Sequence, residues 1–110
     1  IFGAALAAKV HTPFVMIRKK GKLPVGDLVS TSYDLEYGQA TIEMHSHLVK
    51  NKRVIIVDDV MATGGTAKAA MELVLAAGGS VVGVITPVEL TFLNGKEKIG
   101  DVPFASFIKY

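Results

Sequence analysis

No cysteine occurs in the sequence. Disulfides, thiolate metal sites and cysteine nucleophiles are therefore excluded, and a reducing cytosol is compatible with the composition. No apolar run approaches the roughly 20 residues a helix needs to cross a bilayer. The opening residues show neither a charged start nor a clear small-residue cleavage site, so no secretory leader is expected. Charge of one sign is scarce as well. The formal net charge is +2, which says little about nucleic acid, because the placement of cations matters more than their total. The Gly-x-x-x-x-Gly-Lys-Ser/Thr loop of nucleotide hydrolases and the Gly-x-Gly-x-x-Gly turn of dinucleotide folds are both missing. Internal repeats and low-complexity segments are absent too.

What is present is a chain of 110 residues, half of them hydrophobic and a fifth charged. That length allows one domain, and that balance excludes a disordered tail. Ile1 to Lys9 has the composition of the inside of an Ala-rich helix, with no capping residue before it and an expected end near Val10. Phe14-Val15-Met16-Ile17 is a short continuous apolar run, expected to be a strand buried on both faces. Arg18-Lys19-Lys20-Gly21-Lys22 follows it. From Leu23 the chain turns polar, with a turn at Tyr37-Gly38 and a return strand over Thr41–Met44, which suggests a protruding hairpin or mobile flap. A short helix is expected over Met44–Val49.

The best-defined unit begins at Arg53. Val54-Ile55-Ile56-Val57 is expected as a buried strand closed by Asp58-Asp59, with a loop from Val60 to Thr66. Ala67 to Ala77 has the apolar spacing of a helix, with Ala70, Leu73, Val74 and Ala77 on one face. Gly78-Gly79 stops it in the manner of a left-handed cap. Val81 to Ile85 is a second buried strand ending near Pro87. A turn at Asn94-Gly95 and a last strand from Phe104 to Ile108 complete the chain. Strand, helix and strand in this order imply a parallel crossover. The fold class is therefore α/β, with a mainly parallel twisted sheet flanked by helices.

In open parallel sheets, ligands sit beyond the carboxyl ends of the strands, where the Asp58–Thr66 loop lies. Thr63-Gly64-Gly65-Thr66 can turn successive backbone N–H groups inward, because glycine tolerates positive φ. The following helix adds its positive dipole end, and the threonines add hydroxyl donors. Such a cup suits a phosphate dianion. Lys68, one turn in, is expected to face solvent. Asp58 and Asp59 repel phosphate, so their partners are expected to be hydroxyls, magnesium or both. A phosphate cup beside hydroxyl acceptors fits a ribose 5-phosphate.

The run Val54-Ile55-Ile56-Val57-Asp58-Asp59-Val60-Met61-Ala62-Thr63-Gly64-Gly65-Thr66 resembles the phosphoribosyl-pyrophosphate signature of the type I phosphoribosyltransferase family. Three other stretches resemble the adenine-using branch of that family: Arg18 to Pro24, Ser32 to Gly38, and Val88 to Lys98. The resemblance implies an enzyme of purine salvage that joins adenine to phosphoribosyl pyrophosphate, giving AMP and pyrophosphate with Mg2+. It implies that Ala62, Thr63, Gly64, Gly65 and Thr66 hold the 5-phosphate, that Asp58 and Asp59 take the ribose hydroxyls, and that Val60 lies under the adenine ring. Four of the twelve basic residues fall between Arg18 and Lys22, and cations stabilise charge developing on a leaving pyrophosphate. Arg18, Lys19 and Lys22 are assigned to pyrophosphate on this basis, and the resemblance implies that Tyr37 covers the pyrophosphate side. The resemblance makes Leu23 to Met44 a flexible catalytic lid, with Glu36 as the proton-transfer group at the purine.

The resemblance carries further expectations. The chain reads as a partial phosphoribosyltransferase core domain over residues 1–110, preceded in the family by a segment that supplies the first strand and much of the adenine pocket. That strand is expected beside the one ending at Asp58, so these residues alone are expected to be poorly soluble and inactive. A cytoplasmic homodimer that binds neither membrane nor nucleic acid is implied. No direct protein metal site is expected: His45 and His47 on a helix would point apart, with no third ligand. His11 is expected at a helix end, and Met61 and Met71 as core filler. Two alternatives stay open: a phosphoribosyltransferase for another base, and a non-catalytic phosphoribosyl-binding regulator of the same fold.

Overall fold

The computed structural model describes residues 1–35 and 37–110. Its elements are α1 (Phe2–Lys9), β1 (Arg18–Lys19), β2 (Leu28–Leu35), β3 (Gly38–His45), β4 (Arg53–Val57), β5 (Val60–Met61), α2 (Gly65–Ala76), β6 (Ser80–Glu89) and β7 (Phe104–Lys109), with short 3-10 turns at Ser46–Leu48, Thr91–Leu93 and Gly95–Ile99. They form two sheets. β1, β3 and β2 make an antiparallel sheet in that order. β4, β5, β6 and β7 make the parallel sheet expected from the strand–helix–strand pattern.

β6 is the central strand. At Val84 and Ile85 it pairs with both β4 and β7, so those two lie on opposite edges. β5 pairs with Val88 and Glu89, opposite β7, and so continues the line of β4 beyond the acid pair. The residue pattern assigns Val60 and Met61 to a loop. They are a short strand because β6 runs on to Glu89 and offers them a partner. Among the described residues, β4 has no strand on its other edge.

α2 is packed between the sheets. Ala69, Leu73, Val74 and Ala77 meet Ile42 and Met44 of β3 in one apolar cluster. Ala67 and Ala70 meet Ile56 of β4, Met61 of β5 and Val84 of β6 in another. The face predicted for this helix, Ala70-Leu73-Val74-Ala77, is buried. Its alanines leave room for a sheet on each side, which a helix of larger side chains would not. Gly78 takes the left-handed conformation expected of it, and Met61 is core while Met71 is half-buried against it.

Three further expectations fail. Phe14–Ile17 forms no strand. Val15 and Ile17 turn into the core while Phe14 and Met16 are 47 % and 40 % exposed, so one side of the run packs and no ladder holds it. Val54–Val57 is buried on one face only: Ile56 packs under α2, whereas Ile55 is 52 % exposed. α1 approaches that outer side, through Gly3 near Val57, and α1 buries none of its own residues. Met44–Val49 is not helical as a whole, because β3 continues through His45 before one 3-10 turn. The hairpin itself is present, as two eight-residue strands in continuous register. It is more than a flap, since Ile42, Glu43 and Met44 are buried.

Candidate functional site

The site is built on the main chain from Asp58 to Thr66. The Asp58 N–H donates to the Ile85 carbonyl at 3.1 Å, and the Asp59 carbonyl accepts from the Val88 N–H at 3.2 Å. The acid pair is thus held in the line of the parallel sheet. Asp58 is partly buried, and its carboxylate accepts the Asp59 N–H at 2.9 Å. Burial raises the Asp58 pKa above its ordinary value of 3.8, the Asp59 N–H pulls it back, and the Asp59 carboxyl pushes it up further. Asp59 is exposed, and Val60 is 37 % exposed beside the fully buried Met61.

Beyond β5, a concavity is lined by Val60 through Ala67 at the start of α2. Gly64 is the N-cap, with φ 86°, and no side chain caps the helix. The first N–H groups of a helix have no intrahelical acceptor, so this end is set to receive an anion. Lys68 is exposed, as expected.

The loop is braced from far along the chain. Gly64 lies against Gly95, backbone to backbone: a methyl group on Gly64 would run into the Gly95 carbonyl. A methyl on Gly95 would run into the Ala62 carbonyl and stand 2.8 Å from the Gly64 nitrogen. The sequence showed Asn94-Gly95 only as a turn, and Asn94 is indeed left-handed with φ 53°. Nothing in the sequence indicated that Gly95 seats the loop.

The hairpin also reaches this region. Tyr33 of β2 accepts a hydrogen bond from the Thr66 hydroxyl at 3.2 Å. Two residues along the same strand, Thr31 donates to Glu72 of α2 at 3.3 Å. Neither contact has a local signal in the sequence.

Val60, Ala62, Thr63, Gly64, Gly65 and Thr66 line one concavity, whereas Asp58 and Asp59 line a second one with Ile1, Phe2, Gly3 and Val57. The basic stretch is placed differently from the expectation. Arg18 and Lys19 form β1 on the antiparallel sheet, with Arg18 opposite Glu43, instead of following a strand of the parallel sheet. Arg18, Lys19 and Lys22 are all exposed. Glu43 is buried at 6 % exposure, and its carboxylate accepts the Gly21 N–H at 2.8 Å, which ties the Lys20–Lys22 turn to β3. Tyr37 is 92 % exposed at the hairpin tip. Glu36, the expected proton-transfer residue, lies outside the described residues. His45 and His47 do not point apart: His45 ends a strand, and the two ring centroids are 5.9 Å from each other. Among the described residues, no three His, Asp or Glu side chains converge as a metal site.

A family model for the phosphoribosyl transferase domain matches residues 1–102. The adenine phosphoribosyltransferase of Petrotoga mobilis is 52% identical over 111 aligned residues, covering 100% of this chain and 64% of its own length. The crystal structure of adenine phosphoribosyltransferase from Thermoanaerobacter pseudethanolicus superposes with a TM-score of 0.93 at 44% identity, covering 99% of this chain and 63% of that one. The Saccharomyces cerevisiae enzyme, complexed with an iminoaltritol bisphosphate and adenine, gives a TM-score of 0.90 at 38% identity, covering 97% and 60%. The chain thus spans less than two thirds of the length of these relatives.

Proposed function

Since the chain belongs to the phosphoribosyl transferase domain family, we propose that the protein moves the 5-phosphoribosyl group of phosphoribosyl pyrophosphate onto adenine, giving AMP and pyrophosphate. One observation carries this reading: an uncapped helix start at Gly64, seated on Gly95, follows the Asp58-Asp59 pair after one short strand of the parallel sheet. The proposed phosphate cup and hydroxyl acceptors are therefore carried by one continuous stretch of main chain, Asp58 to Thr66. The relatives named as adenine phosphoribosyltransferases support adenine as the base.

In the proposed mechanism, Ala62 to Thr66 hold the 5-phosphate through main-chain N–H groups and the threonine hydroxyls. Asp58 and Asp59 accept hydrogen bonds from the ribose hydroxyls, which fixes the anomeric carbon in position. Val60 offers an exposed apolar surface to the adenine ring. The C1′–O bond to pyrophosphate breaks as the N9–C1′ bond forms, through an oxocarbenium-like transition state. Glu36 handles the proton at the purine. Arg18, Lys19 and Lys22 stabilise the charge that develops on pyrophosphate, with Tyr37 as its cover. Water must be kept away, because the activated sugar would otherwise hydrolyse. The acid pair alone is too small a donor set to cage a cation. It fits Mg2+ that brings most of its ligands as substrate oxygens and water, and when bound that ion would neutralise pyrophosphate charge. The same reading includes a cytoplasmic homodimer. Among the described residues, no helix is long and apolar enough to cross a membrane.

The test is to incubate the intact protein with phosphoribosyl pyrophosphate, Mg2+ and radiolabelled adenine, hypoxanthine or guanine in turn. Labelled AMP from adenine alone is expected. A nucleotide formed from another base in preference would overturn the assignment of adenine. Tight binding of phosphoribosyl pyrophosphate with no product from any base would turn the reading into that of a non-catalytic regulator.

A further inference from the structure

We infer that Tyr33 is a positioning residue that acts on the ligand phosphate through Thr66, and so couples the docking of the hairpin to occupancy of the cup. The inference rests on the proposed phosphate site. Thr66 stands at the second position of α2, and its hydroxyl has one proton to donate. In the structure that proton goes to the Tyr33 oxygen, at 3.2 Å. A phosphate in the cup would compete for the same proton. The conflict resolves if the pair reverses: Tyr33 donates to the Thr66 oxygen, and Thr66 donates to the phosphate. Both residues are hydroxyls that can donate or accept, so the reversal needs no change in heavy-atom positions.

Such a chain is worth more than its separate links. A hydroxyl that accepts one hydrogen bond becomes a better donor for the next. The Tyr33 ring is also well placed to stay where it is. It is half-buried against the apolar cluster under β3, and its Cδ2 atom would lie 3.6 Å from a methyl group at Gly65. The Thr31–Glu72 hydrogen bond holds the same strand to α2 one side-chain repeat away. The hairpin is thus fastened to the helix at the point where the phosphate is expected. By linkage, a phosphate that strengthens the Tyr33–Thr66 bond must also strengthen the seat of the hairpin, and to the same degree.

The experiment is a double-mutant cycle on the intact protein, with AMP, ribose 5-phosphate and adenosine as calorimetric probes. Tyr33→Phe keeps the ring and removes the hydroxyl. Affinity for AMP and for ribose 5-phosphate is expected to fall by about three- to tenfold, as for one hydrogen bond, while affinity for adenosine, which has no phosphate, stays unchanged. In a Thr66→Val background the further effect of Tyr33→Phe on AMP should vanish, which a merely structural role of Tyr33 would not produce. An unchanged AMP affinity, an equal loss for adenosine, or the same loss in both backgrounds would overturn the coupling. A wild-type protein that binds none of the phosphorylated probes would overturn the phosphate site itself, and the coupling with it.

Discussion

The cup and the hairpin meet at α2 but are built on opposite plans. The cup is made of consecutive residues, Asp58 to Thr66, and its proposed donors are mostly main chain. The antiparallel sheet that contains the hairpin carries its proposed side chains far apart in sequence: Arg18 and Lys19 on β1, Tyr33 on β2, Tyr37 at the hairpin tip. In the cup, a wrong residue displaces backbone. In the hairpin, a wrong residue removes one functional group and leaves the ladder from Leu28 to His45 intact. On the proposed reading, a change in the cup lowers binding and stability together, whereas a change in the hairpin removes one side-chain contribution, to chemistry or to binding, with the fold preserved.

The largest effect should come from Glu36. Glu36→Gln is expected to lower kcat by about 10²- to 10⁴-fold, the usual worth of positioned proton transfer, while phosphoribosyl pyrophosphate binds nearly as before. Steady-state kinetics beside a direct binding measurement would separate the two, and an unchanged kcat would remove Glu36 from the chemistry. Gly64→Ala should show the opposite pattern. A residue with a Cβ costs about 1–2 kcal/mol in the left-handed conformation, and displacing the Gly95 carbonyl costs about 1–3 kcal/mol more. The urea midpoint should fall, and AMP affinity should fall at least about tenfold, the equivalent of 1.4 kcal/mol. Gly95→Ala should reproduce the affinity loss from a distant part of the chain. An unchanged affinity in Gly95→Ala would show that the brace does not set the cup.

How much of this was legible follows the same division. The strand–acid–glycine–helix order of residues 53–77 was readable because each feature is local: apolar run, carboxylates, positive-φ glycine, 3.6-residue spacing. Gly95 was readable only as a turn residue, since what it packs against is decided by the path of β6 and the 3-10 turns after it. Tyr33 and Glu43 sit in a polar stretch, and neither the Tyr33–Thr66 bond nor the burial of Glu43 leaves a trace in the neighbouring sequence. The apolar runs misled in a specific way. Phe14–Ile17 and Val54–Val57 have the composition of strands buried on both faces, yet each packs on one side only, because burial depends on which layers are present to cover a strand. The relatives are longer than this chain, and the covering of the outer face is not a property the run itself encodes.

The smallest effect separates function from stability within the cup. Asp58 has a raised pKa because burial disfavours its charged form. Below the ordinary value of 3.8 the carboxyl is protonated in both the folded and unfolded chain, and contributes no difference. As the pH rises past that value, the unfolded chain ionises freely while the folded chain still holds its proton, so stability falls. The fall ends once the pH passes the raised folded value, and the penalty then stays constant through neutrality. Asp58→Asn removes the titration, and its side-chain oxygen can still accept the Asp59 N–H. The variant should therefore unfold at a slightly higher temperature than the wild type at pH 7, with the gap closing as the pH is lowered through the carboxylate range. Ligand affinity should move the other way, because the ribose hydroxyls lose a charged acceptor. Thermal melts at several pH values, with and without AMP, would check both signs. If Asp58→Asn made the chain less stable at pH 7 than at pH 3, relative to wild type, the ionised acid would be stabilising the fold, and burial would not be what sets its pKa.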